Sequence, residues 1–172
     1  MSAWGSDAYG DPCAVCGYDW GRQSQTDIAL VEALPDEFTA ALGQANGGES
    51  IPELAWNAVA YVMHVADNLR IWGERLAGAN DNGGQPLPVL AYDQDALAVV
   101  RSYPKTSKGS ALWSLQWSVA SWLDAVAAAQ NAGSRLLHQE AGVLTVGEVI
   151  SMNAHDAHHH LVDVRRILAA ND

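Results

Sequence analysis

Asn153-Ala154-His155-Asp156-Ala157-His158-His159-His160-Leu161-Val162-Asp163 holds four of the chain's six histidines and two carboxylates. It follows Thr145-Val146-Gly147-Glu148, a capping box in which Thr and Glu take up free N–H groups at a helix start. Val149, Ile150, Ala157, Val164, Ile167 and Leu168 then recur at three and four spacings. The stretch is therefore predicted to lie on the last amphipathic helix of the chain. Residues four apart on a helix project from one face, and imidazole and carboxylate both bind zinc, nickel and iron. This helix is read as half of a metal site.

The helices before it follow from the same periodicity. Ser50-Ile51-Pro52-Glu53 is a second capping box, and Leu54, Ala58, Tyr61, Val65, Leu69, Trp72 and Leu76 predict a helix to about Ala77. Gly109 to Ala132 predicts another, on which Trp113, Trp117 and Trp122 are expected to form core and pocket walls. Asp27 to Gln44 has helical spacing, with Pro35 expected to kink it or to start it afresh at Asp36. Gly78 to Pro88 reads as a turn-rich linker, and Tyr92 to Tyr103 as a short extra helix. No run alternates as a half-buried strand would. The expectation is an all-α protein, an antiparallel four-helix bundle over residues 25–172 preceded by an irregular arm over 1–24.

Composition narrows the function. A chain of 172 residues buries a sizeable core without help from a metal. Its formal charge of −11 argues against nucleic acid or an anionic membrane as partner. No apolar run approaches a membrane span, and Met1 to Gly21 lacks the basic start and apolar run of a signal peptide, so a cytoplasmic protein is expected. The Gly78–Gly84 stretch has no Gly-Lys-Ser/Thr behind it, and Gly-x-Ser-x-Gly is absent, which removes phosphate-cradle and serine-hydrolase readings.

Helix phase decides between ligand sets. Asp156 and His160 continue into Val164, Ile167 and Leu168 along the apolar margin, whereas His155 and His159 continue into Asp163 and Arg166, a row expected to face water. The first pair is preferred and the second kept as runner-up. A third ligand must come from another helix, and His64 is the candidate, on the same edge as Asn57, Tyr61, Asn68 and Arg75. Asp67 or Asp163 could orient a ligating imidazole, or simply pair with Arg70 or Arg75 and with Arg165 or Arg166. His138 is placed on a loop, structural or exposed. Cys13-Ala14-Val15-Cys16-Gly17 has the form of a metal knuckle lacking half its ligands, which a carboxylate, His138 or a second subunit could supply; a redox pair and two ordinary thiols remain open.

His64-Val65-Ala66-Asp67-Asn68-Leu69-Arg70, followed late in the chain by Asp156-Ala157-His158-His159-His160-Leu161-Val162-Asp163-Val164-Arg165-Arg166, resembles the DinB/YfiT-like superfamily of metal-dependent four-helix bundles. That superfamily includes mycothiol-dependent maleylpyruvate isomerase and bacillithiol transferases. The resemblance implies one divalent ion, held by His64 and by a pair four apart on the last helix. That pair is Asp156 with His160 if the acidic variant applies, or His155 with His159 if the all-histidine one does. It also implies chemistry on a small-molecule substrate through a low-molecular-weight thiol cosubstrate. Three protein ligands would leave an open coordination position. Two functions follow: a metal-dependent transferase, isomerase or hydrolase, or a non-catalytic metal-binding stress-response protein whose arm mediates a homodimer.

Overall fold

The computed structural model describes residues 5–171, with elements in the order α1 (Ser6–Tyr9), α2 (Ser24–Leu42), α3 (Ala58–Asn80), β1 (Leu87–Val89), α4 (Gln94–Val100), a 3-10 turn (Tyr103–Lys105), α5 (Lys108–Ala132), β2 (Arg135–His138), β3 (Gly142–Thr145) and α6 (Val146–Ala169). The bundle consists of α2, α3, α5 and α6. Both α2 and α3 pack chiefly against α5 and α6, so α2 lies diagonally across the bundle from α3, and α5 from α6. No described helix is long and apolar enough to cross a membrane.

Local chemistry explains the boundaries, including those that sequence misplaces. The capping box at α6 forms as expected: Glu148 N–H donates to Thr145 Oγ1 at 3.3 Å, and Thr145 N–H donates to Glu148 Oε2 at 2.7 Å. A cap of this kind contributes about 1 kcal/mol. The Ser50 box does not form. The backbone of Gly47 and Glu49 instead accepts the N–H groups of Val59 and Ala58 at 2.8 and 2.9 Å, and Asn57 Oδ1 takes the N–H of Ala60, so α3 begins at Ala58. Pro35 neither restarts nor ends α2. Val31, Leu34, Phe38 and Leu42 are buried along one face, and burying such side chains, at roughly 1.5–3 kcal/mol each, outweighs the hydrogen bond that proline forfeits.

The sheet was not foreseen. β1 and β2 pair in parallel and β2 and β3 as an antiparallel hairpin, with Leu87, Leu136 and Leu144 in register. Strands of three or four residues are too short to show alternation. At the bundle centre α3 and α5 approach closely at Gly73, where an added Cβ would lie 3.3 Å from Trp122 Cα. Trp122 is fully buried, but Trp113 and Trp117 are exposed, contrary to the core role expected for all three. At about 100° per residue Trp113 and Trp117 lie only about 40° apart, and Trp122 lies about 140° beyond.

Candidate metal centre

α3 and α6 bring His64, Asp156 and His160 together. One donor atom from each lies within 4.8 Å of the others. His64 Nε2 is 3.4 Å from Asp156 Oδ2 and His160 Nε2 is 3.7 Å from Asp156 Oδ1. Ligands at about 2.0–2.1 Å from a tetrahedral ion stand roughly 3.4 Å apart, so these separations are close to those of a ligand shell. The His64 imidazole is buried, and its Nε2 makes no hydrogen bond among the described residues. That is an orphaned donor atom where an ion would bind, and the residues fit a divalent cation.

Neighbouring groups orient the three side chains. His160 Nδ1 meets Asp163 Oδ2 at 3.1 Å, which assigns the proton to Nδ1 and leaves Nε2 free toward Asp156 and His64. Asp163 also binds Arg166 at 3.4 Å, so it pairs with the arginine as well as aligning the imidazole. Asp156 is held by a relay that sequence reasoning missed. Trp122 Nε1 donates to Asn153 Oδ1 at 2.8 Å, Asn153 Nδ2 to Asn68 Oδ1 at 3.3 Å, and Asn68 Nδ2 to Asp156 Oδ2 at 2.7 Å. The available signal was the i, i+4 placement of Asn68 after His64. Tyr61 stacks on His160 at 5.0 Å and Trp56 packs on His64 at 5.3 Å. Asp67 is engaged by Arg70, Arg101 and Tyr103.

Charge follows this geometry. Burial opposes the Asp156 carboxylate, yet the adjacent His64 and His160 and the Asn68 amide hold it well below the usual carboxylate range. Burial likewise lowers His64, but Asp156 outweighs it and the imidazole ends raised. Asp156 is the ligand that reaches a cleft of about 300 Å³, which Asn68, Trp72, Arg75, Tyr92 and His138 also line. Arg75 lies 4.5 Å over the Trp72 ring and 5.7 Å from that of Tyr92. It donates to the Leu90 carbonyl, has no carboxylate partner among the described residues, and its Nη1 is buried without a hydrogen bond. Burial depresses its pKa. An uncompensated guanidinium on the cleft wall suits an anionic group on a ligand.

The other flank of α6 departs from expectation. His155 and His159 do not face water. The arm over residues 5–23 covers them: His155 is 4% exposed and lies 4.7 Å from the ring of Tyr9, 5.3 Å from Tyr18 and 4.5 Å from Trp20. Helix phase put the two pairs in different rows but could not show that an arm far away in sequence packs on the second. Burial and the neighbouring His159 push the His155 imidazole down to about 4. Cys13 Sγ is 3.8 Å from His159 Nδ1, and both cysteines are free thiols. Burial opposes ionisation of Cys13, but N–H groups of Cys16, Val15 and Gly17 and the Cys16 thiol lower it overall, while burial raises Cys16 to about 11. His138 is not their partner. It lies on β2 rather than a loop, is 2% exposed, stacks on Trp72 at 5.8 Å and accepts from Glu140 and Ala141 N–H through Nδ1.

Comparison with known proteins places this arrangement. YfiT from Bacillus subtilis, a probable metal-dependent hydrolase with an unusual four-helix bundle topology, superposes with a TM-score of 0.72 over 86% of this chain and 87% of that chain. At 15% identity the likeness is one of fold. No curated protein matches the sequence. The profile of the DinB superfamily matches residues 22–162, from just before α2 into α6, and includes His64, Asp156 and His160. The chain belongs to the DinB superfamily.

Proposed function

We propose that the protein is a metal-dependent enzyme acting on a small, anionic substrate, with His64, Asp156 and His160 as ligands of one divalent ion. Zinc suits two imidazoles and a carboxylate; nickel and iron are the other candidates. The observation that carries this reading is the convergence of three donor atoms beside a cleft, with His64 Nε2 unsatisfied. When bound, such an ion supplies Lewis acidity, which makes water or a thiol nucleophilic near neutral pH.

The remaining roles belong to the protein. Asp163 holds the proton on His160 Nδ1, and the Trp122–Asn153–Asn68 relay fixes the Asp156 carboxylate. Arg75 offers its charge to an anionic group on the substrate or on a thiol cosubstrate. The nucleophile is proposed to be a low-molecular-weight thiol, as in a transferase or isomerase, with water, as in a hydrolase, as the other form of the same chemistry.

The test uses protein purified without a polyhistidine tag and loaded with zinc. Turnover of activated esters and conjugation of a small electrophile are measured with and without added thiol, for wild type and His64→Ala. Metal-dependent turnover that His64→Ala abolishes supports the proposal, and stimulation by thiol selects the thiol route. An open site saturated with zinc but inert in both assays overturns it in favour of a non-catalytic metal-binding protein.

A further inference from the structure

We propose that Cys13, Cys16, His155 and His159 form a second metal site, a closed Cys2His2 zinc centre that clamps the N-terminal arm onto α6. One donor atom from each of the four lies within 4.8 Å of the other three. The measured edge, 3.8 Å from Cys13 Sγ to His159 Nδ1, compares with about 3.6 Å between a thiolate and an imidazole nitrogen bound at about 2.3 and 2.05 Å around a tetrahedral ion. The spacing is Cys-x-x-Cys followed by His-x-x-x-His on a helix, the pattern of such centres, with most of the bundle inserted between its halves.

The surroundings are built for it. Gly17, at φ +74°, turns the knuckle, and Gly17 N–H donates to the Cys13 carbonyl and Cys13 N–H to the Tyr18 carbonyl, both at 2.8 Å. His158 Nε2 contacts the Cys16 carbonyl at 3.2 Å, which ties the same loop to α6 from the next residue along. His159 Nε2 lies 3.8 Å from Asp163 Oδ2, so the carboxylate that aligns His160 also stands behind His159. Cys13 and His155 are buried, and Nε2 of His155 has no hydrogen-bond partner among the described residues. Two thiolates and two neutral imidazoles cancel the charge of a divalent ion, which suits an apolar setting of Tyr9, Tyr18 and Trp20. Thiolates select zinc over the harder cations.

Four protein ligands leave no open position, so the centre is structural. Its consequence is the shape of the cleft: Gly5, Tyr9 and Trp20 of the clamped arm line it beside Asp156. Ions on adjacent flanks of α6 would thus divide the work, one closing a wall and the other facing the cleft.

Tag-free protein reconstituted with zinc should bind two ions per chain, corresponding to the two ligand clusters. His64→Ala and Cys16→Ser should each lose one. Cobalt(II) substitution should give a thiolate-to-metal charge-transfer band in wild type and in His64→Ala, and none in Cys16→Ser. Because the His64→Ala protein keeps the band whatever becomes of the cleft site, failure of the catalytic reading is distinguishable from failure of this one. Should Cys16→Ser misfold, X-ray absorption of the wild-type zinc protein decides. Sulfur scattering at about 2.3 Å supports the centre, and a shell of nitrogen and oxygen alone overturns it. A Cys13–Cys16 disulfide in the freshly isolated protein, or unchanged zinc content in Cys16→Ser, overturns it as well.

Discussion

The two flanks of α6 are one residue out of phase and meet different partners. Asp156 and His160 look across the bundle to His64 on α3, and Asp156 reaches a cleft. His155 and His159 meet an arm that brings two thiols and three aromatic rings. One flank adds a carboxylate to two imidazoles beside an accessible cavity; the other sets two imidazoles next to two thiols under the arm. A run of three consecutive histidines is explained by this division, since His158 anchors the arm's backbone, His159 belongs to the thiol cluster and His160 to the carboxylate cluster. Adjacent residues on one helix can thus serve separate sites when different parts of the chain pack on each side.

Three experiments probe that separation. Asp156→Ala should have the largest effect, abolishing metal binding and turnover at the cleft while leaving the cobalt–thiolate band unchanged; loss of both would merge the two flanks into one site. Asn68→Ala and Asn153→Ala remove the relay that fixes Asp156 and should weaken metal affinity at the cleft by about 10–100-fold, measured by competition with a chelating dye. Unchanged affinity would show that the relay only packs.

The smallest effect is expected at His138, which lines the cleft but belongs to neither cluster. Burial, reinforced by Arg75, lowers its pKa below the ordinary 6.5. A group depressed on folding contributes stability that is present above its unfolded pKa and lost as pH falls through the folded value. The melting temperature of wild type should therefore decline as pH drops below about 6.5, and His138→Gln, which keeps an acceptor for Glu140 and Ala141 N–H, should flatten that slope. Parallel slopes would remove His138 from the account.

Much of the fold was legible because bundle helices advertise a period. The Thr145 cap, the apolar row of α6 and the extent of α5 follow from neighbours in sequence. The start of α3 did not, since beside the Asn57 side chain the groups that cap it are backbone atoms of a loop whose path no side-chain pattern records. The small sheet escaped for a related reason, its strands being shorter than the alternation that identifies one.

At the site, residue types and helical spacing offered two pairs four apart on α6, and their phase against the apolar row favoured Asp156 and His160, with His64 as the third candidate and His155 and His159 as runners-up. Exposure was beyond their reach. Whether His155 and His159 face water or protein depends on where the arm at the opposite end of the chain comes to rest, and the position of Cys13 beside His159 is a long-range contact that no local periodicity encodes. The Trp122–Asn153–Asn68–Asp156 relay crosses three helices for the same reason. Sequence by itself determined which side chains could bind a metal; tertiary packing decided which of them meet, which stay dry and which open onto a cleft.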